Sequence, residues 1–125
     1  MVQGALGKDF KDGEIIVHQG DVGDSMFVIQ EGQVEVLMET DGEVTRLRVA
    51  REGEFMGEMA IFEKENRSAT LRALGEVRIL TIDKKNFLRR VHEDPSLAFR
   101  IAQTMSSRIR ELSDEIARLK HELGT

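Results

Sequence analysis

The chain contains no cysteine, no tryptophan and no tyrosine, and a single proline in 125 residues. Without cysteine there is no disulfide framework and no thiolate metal site, which fits a reducing compartment. Six phenylalanines make up the whole aromatic complement, so stacking platforms for single-stranded nucleic acid are scarce. No apolar run approaches the ~18 residues of a membrane-spanning helix. The opening MVQGALGKDF lacks the basic and apolar regions of a secretory signal. A cytoplasmic location is the expectation, with no membrane partner. Basic charge is in deficit: 23 Asp plus Glu outnumber 18 Lys plus Arg, which argues against nucleic-acid binding. No GxxxxGK[ST] loop occurs. His18, His92 and His121 lack the spacing of a metal site or of a base paired with a nucleophile. No catalytic residue, metal ion or cofactor is expected, and the chain does not read as an enzyme.

What is present suits one domain with a core. Glycines at 13, 20, 23, 32, 42, 53, 57 and 75 separate short apolar stretches, each a plausible turn. Strands are expected at 14–18, 26–30, 33–39, 44–50, 69–73 and 77–82. Asp41-Gly42 is the dipeptide favoured in two-residue hairpin turns. Many short strands with regular turn signals suggest a sandwich or a barrel. A short helix is expected over 83–91. Asp94 followed by Pro95 then supplies a cap and a first helical residue for a new helix. Residues 1–93 are read as a β core and 94–125 as a C-terminal helix, within one domain overall.

That last helix carries a heptad pattern. With Ala102, Ile109, Ile116 and Leu123 at a, the d positions are Ala98, Met105, Leu112 and Leu119. Ile at a with Leu at d favours parallel two-stranded coiled coils. Met105, Ile109, Leu112, Ile116, Leu119 and Leu123 are therefore read as the seam of a homodimer. Glu115 at g and Lys120 at the following e would face each other across it. Phe99 and Ile101 widen the stripe only near the start, so the first two turns are expected to pack on the β core.

The most informative stretch is 57–70, Gly-Glu-Met-Ala-Ile-Phe-Glu-Lys-Glu-Asn-Arg-Ser-Ala-Thr. A sugar phosphate can use its parts together. Glu58 can accept hydrogen bonds from ribose hydroxyls, and Arg67 can pair with a phosphate in charge-assisted geometry. The first N–H groups of a short helix would point at the same anion. Gly57 permits close backbone approach, Ala60 and Ala69 keep the walls small, and Ser68 sets a hydroxyl beside the arginine. The plainer reading is an ion pair that pins a loop.

This stretch resembles the phosphate-binding cassette of the cyclic nucleotide-binding domain family. The family pattern is roughly Gly-Glu-apolar-small-apolar, a short loop, then Arg, a small residue and Ala. The likeness runs over about residues 10–115 and includes GEIIVHQGDVGDSMFVIQEGQVEV. It implies a mainly β fold with added helices: a jelly-roll β-barrel with a short cassette helix and a long C-terminal helix. It also implies roles. Glu58 would bind the ribose 2′-hydroxyl, Arg67 the cyclic phosphate, and Ser68 the phosphate or a guanine edge. Backbone N–H groups of Gly57, Met59 and Ala60 would complete an anion nest. The base would lie against Val36 and Leu47, with Leu112 and Ser113 of the final helix reaching it. For Val36 and Leu47 plain core packing is the competing role; for Leu112 and Ser113 it is a seam residue beside an exposed one.

In the kinase branch alanine at the Ser68 position goes with cyclic AMP and threonine with cyclic GMP. Bacterial cyclic-AMP regulators carry serine, so cyclic AMP is the favoured ligand and cyclic GMP the alternative. Those regulators follow the long helix with a DNA-binding domain that these residues do not include, leaving the output partner open. The expected function is a regulatory sensor whose ligand occupancy is coupled to the C-terminal helix of a dimer. The alternative is a structural or protein-interaction dimerisation module with a non-functional cassette.

Overall fold

The computed structural model describes residues 7–62 and 65–124. The strands are β1 (Lys8–Phe10), β2 (Ile15–Val17), β3 (Val22–Gly23), β4 (Ser25–Thr40), β5 (Glu43–Arg51), β6 (Phe55–Met56), β7 (Glu65–Asn66) and β8 (Thr70–Asp83). The helices are α1 (Met59–Phe62), α2 (Lys84–Glu93) and α3 (Pro95–Glu122). The chain divides into two compact units, Met1–Phe87 and Leu88–Thr125, so the division falls inside α2.

In the first unit β4 is the central strand. It pairs antiparallel with β8 along one edge and with β5 and β6 along the other. β1 and β2 add to the far side of β8, and β3 with β7 forms a separate two-stranded ribbon. This is the expected jelly-roll architecture, with its hydrogen-bonded path open at β1 and β5.

Two pairs of expected strands are each one strand. The stretches 26–30 and 33–39 fuse into β4, and 69–73 and 77–82 fuse into β8. Gly32 and Gly75 are not turns between strands but lie where the β4–β8 register shifts. The shift matters because side chains alternate along a strand. Phe27 and Ile29 face the core before it, whereas Val34 does so after it. An irregularity in the ladder changes the inward parity without breaking the strand. The core is built from Phe27, Ile29, Val34, Ala50, Met56, Leu71, Ala73, Val77 and Ile79. The β4–β5 hairpin closes on Asp41 and Gly42, both at positive φ (52° and 84°), as a type I′ turn demands.

The same parity places Glu35 opposite Val34, on the face away from that core. There it is 6% exposed and accepts two forked arginine contacts. Arg46 of β5 donates from Nε at 2.9 Å and also from Nη2. Arg72 of β8 donates from Nε at 3.0 Å and from Nη2 at 2.9 Å. The two guanidinium groups both shield the carboxylate and satisfy it, tying β5, β4 and β8 together. Hydrogen bonds from Arg46, then from Arg72, hold its pKa below the ordinary carboxylate value against the opposing effect of burial.

The second unit contains the rest of α2 and all of α3. Asp94 caps α3 as expected, its carboxylate accepting from the Ser96 N–H at 3.2 Å, with Pro95 opening the helix. Leu88 and Phe99 are exposed, whereas Ile101 is buried.

A depressed folded-state pKa stabilises above the unfolded pKa and loses that contribution as pH falls through the folded value. Glu35→Gln is expected to lower neutral-pH stability by about 1–3 kcal/mol, the range for a charged hydrogen-bond partner. The gap from wild type should close as pH drops below the ordinary carboxylate range. Urea unfolding at a series of pH values checks this, and a pH-independent gap would assign the loss to packing alone.

Candidate functional site

The cassette leaves β6 at Met56 and turns at Gly57, whose φ of 75° suits glycine. The turn is closed by the Ala60 N–H, which donates to the Gly57 carbonyl at 3.1 Å, and by the Ile61 N–H, which donates to the Glu58 carbonyl at 3.0 Å. Ala60 and Ile61 are buried, so α1 is anchored by its apolar side chains. The Ala60 N–H expected in an anion nest is thus engaged inside the turn. Met59 opens α1; its side chain lies outside the described residues. Glu58 is half-buried beside Gly57.

Arg67 follows β7. Its backbone is held on both sides by the segment before β3. The Arg67 N–H donates to the Asp21 carbonyl at 2.7 Å, and the Gly20 N–H donates to the Arg67 carbonyl at 2.8 Å. Asn66 and Glu65 then pair with Val22 and Gly23. These bonds bring together two segments that are far apart in the chain.

The guanidinium is half-buried in a narrow slot. Its Cζ lies 5.0 Å from the centroid of the Phe27 ring, a cation–π distance. A methyl group at Gly57 would come within 2.8 Å of Nη1, and one at Gly23 would collide with the guanidinium. Phe27 forms the floor of the slot, and two glycines leave room for its walls. Burial lowers the Arg67 pKa from its ordinary value, while the carboxylates of Asp24 and Asp21 push it back up. An arginine keeps its charge through such changes, so a positive group is held ready at a fixed place.

Around this slot, Gly57 and Arg67 are brought together. Ser68 is exposed and Ala69 half-buried, immediately before β8. Val36 sits opposite Leu71 in the β4–β8 ladder and packs on the core. Leu47 is 51% exposed. It is the extra residue in β5 where Val36 pairs with Arg48 and Leu37 with Arg46. Leu112 and Ser113 lie exposed on α3, in the second unit.

Phe27, Gly23, Asp21 and Asp24 were not singled out from the sequence as site residues. The available signal was the run His-Gln-Gly-Asp-Val-Gly-Asp at 18–24, with paired Gly and Asp residues close together. Nothing local says that this run folds against Arg67.

A second surface lies on α3. Ile109, Leu112, Ile116, Leu119 and Leu123 recur at spacings of three and four and are 43–77% exposed in the single chain. Met105 is half-buried. Beside this stripe Arg118 pairs with Glu122 at 3.1 Å and with Glu115 at 3.6 Å. Among the described residues no group of three or more His, Cys, Asp or Glu side chains could hold a metal ion. No helix among them is long and apolar enough to cross a membrane.

Known proteins resemble this chain in sequence and in fold. The family profile described as the cyclic nucleotide-binding domain matches residues 7–94. The cAMP-dependent protein kinase regulatory subunit of Blastocladiella emersonii is 35% identical over 81 residues, 64% of this chain and 20% of that protein. The chain therefore spans about a fifth of that relative's length. Among solved structures, the Thermus thermophilus catabolite activator protein has a TM-score of 0.82 at 24% identity, covering 94% of this chain and 56% of that one. That likeness concerns the fold alone. The EAL enzyme Bd1971 has been solved in a cAMP-bound form, with a TM-score of 0.64 at 32% identity over 94% of this chain and 32% of that one. Its cGMP-bound form has a TM-score of 0.65 at 32% identity, over 87% and 29%.

Gly23→Ala should leave the sheet intact, because the three nearest atoms its methyl group would meet all belong to the Arg67 side chain. It should push the guanidinium off the Phe27 ring. Proton–nitrogen spectra of the arginine side chains read this directly: the Arg67 Nε–H resonance loses its ring-current shift. An unmoved resonance would show that the slot does not depend on that glycine.

Proposed function

Since the chain belongs to the cyclic nucleotide-binding domain family, we propose that it is a sensor that binds cyclic AMP in preference to cyclic GMP and passes occupancy to the C-terminal helix of a homodimer. The family is regulatory rather than catalytic, and the chemistry is recognition. The observation that carries the proposal is the charged, half-buried Arg67 guanidinium, held between Gly23 and Gly57 over Phe27. A cation kept partly out of water is poised for an anion small enough to share its slot. A cyclic phosphate is such an anion.

In this reading Arg67 forms charge-assisted hydrogen bonds with the phosphate, and Ser68 adds its N–H or hydroxyl. Glu58 accepts from the ribose hydroxyls. Gly57, Met59, Ala60 and Ala69 shape the turn around the sugar phosphate. Val36 and Leu47 offer apolar surface to the base; Leu112 and Ser113 are the α3 residues that the family resemblance assigns to it. Ligand that binds more tightly to one helix arrangement shifts the population toward it, by no more than its difference in affinity.

The dimer is supported by the α3 stripe. A run of large apolar residues left exposed along one helix face marks an interaction surface, and the Ile-at-a, Leu-at-d order fits two parallel strands. The intrachain contact from Glu115 to Arg118 competes with a cross-chain pair to Lys120, so the seam's apolar residues carry the association.

Calorimetric titration with cyclic AMP and, separately, cyclic GMP tests the ligand. At ~0.3 kcal/mol for each of about 22 non-hydrogen atoms, a dissociation constant near 10 μM or tighter is expected. Arg67→Ala should weaken binding by roughly 10- to 150-fold, the equivalent of one charged hydrogen-bonding partner. No heat with either nucleotide, from folded and nucleotide-free protein, would leave the dimerisation module as the better reading. Ile116→Glu puts a charge in the seam; sedimentation should then show a monomer where wild type is dimeric. A monomeric wild type at tens of micromolar would remove the dimer from the proposal.

A further inference from the structure

Past its pairing with Thr70, β4 has no β8 residue beside it, because that ladder ends at the pair Leu37 and Thr70. Glu39 lies two residues further along, and Gln19 takes the place of the missing strand. The Gln19 Nε2 donates to the Glu39 carbonyl at 3.0 Å, and the Glu39 N–H donates to Gln19 Oε1 at 2.7 Å. A primary amide carries a donor and an acceptor side by side, so it imitates one strand residue. The Gln19 N–H also donates to Thr70 Oγ1 at 2.9 Å.

The next two residues hold Arg67. Gly20 and Asp21 bond to its carbonyl and its N–H at 2.8 and 2.7 Å. Asp21 also closes the local turn: its N–H donates to the His18 carbonyl at 3.1 Å, and its carboxylate accepts from the His18 N–H at 3.2 Å. A stiff segment, 18–21, therefore joins the β4–β5 hairpin to the backbone of Arg67. Every bond in that chain lies within the first unit.

We propose that Gln19 is a positioning residue for Arg67: its amide ties the β4–β5 hairpin to the segment that clamps the arginine, so that anion occupancy at Arg67 and the position of the hairpin are linked. This rests on the reading of Arg67 as the phosphate-binding group. Val44 and Leu47, 61% and 51% exposed on the hairpin, are the apolar surface such a linkage would move.

The test is Gln19→Met, which keeps the side chain's length and removes both amide functions. Gln19 is exposed, so the variant should fold. Amide hydrogen exchange without ligand comes first. Exchange should quicken together at Glu39, Gly20 and Arg67; quickening at Glu39 alone would overturn the linkage. With cyclic AMP, the wild type should gain protection at both Arg67 and Glu39. Gln19→Met should gain it at Arg67 only and bind about three- to ten-fold more weakly, a fraction of the net worth of the two lost hydrogen bonds. Equal affinity and undiminished protection at Glu39 would overturn the proposal. Wild type that binds no nucleotide would overturn it together with the sensor reading, and the ligand-free exchange separates that failure from a missing tether. A merely local structural role for Gln19 would change exchange at Glu39, whose N–H bonds to it, but would leave the exchange at Gly20 and Arg67 and the nucleotide affinity as in the wild type.

Discussion

The antiparallel pairing of β4 with β8, from Ser25 opposite Asp83 to Leu37 opposite Thr70, is the constraint on which the rest of this molecule depends. It lays two long strands against each other across the core. It also decides where β8 begins, one residue after the cassette ends at Ala69. Phe27 enters the core from β4 and at the same time becomes the ring under Arg67. A residue that serves both core and site couples the stability of the sheet to the placement of the cation. The register irregularity around Gly32 has a comparable double effect. It keeps Val34 in the core and sends Glu35 to the opposite face, where two arginines satisfy it.

Charge in this protein is arranged by different rules in two places. Glu35 is a buried carboxylate whose cost of desolvation is offset by two forked donors from neighbouring strands. The arginines are themselves partly solvated, so neither end of the triad is stranded. Arg67 is the reverse case, a half-buried cation whose nearby carboxylates act through space and which lies over a ring and beside two glycines. The first arrangement is saturated and holds strands together. The second is the arrangement proposed to take an anion, and that is the difference between the two.

Two surfaces carry the proposed sensor: the Arg67 slot in the first unit and an apolar stripe along α3 in the second. Within the first unit, the 18–21 segment touches both the arginine backbone and the end of β4. The slot is therefore not an isolated pocket but part of a hydrogen-bonded frame that reaches the hairpin.

Much of this was legible in residue order because it depends on near neighbours. Asp94-Pro95 announced the start of α3, Asp41-Gly42 the hairpin, and the heptad spacing of Ile and Leu the apolar stripe. Gly57 and Arg67 were also readable as a pair, and the structure brings them together, whereas Glu58 and Ser68 were readable only as candidates by their chemistry. Gly32 and Gly75 misled, because a glycine serves a bulge and a turn equally well and only pairing distinguishes them. Glu35 could not be recognised as buried, since its two arginines come from other strands. Phe27, Gly23 and Gln19 gained their roles from contacts made far along the chain. Local propensity and spacing determined the elements and the candidate ligand group; long-range strand pairing alone decided which side chains surround Arg67, because no short segment encodes its neighbour across a sheet.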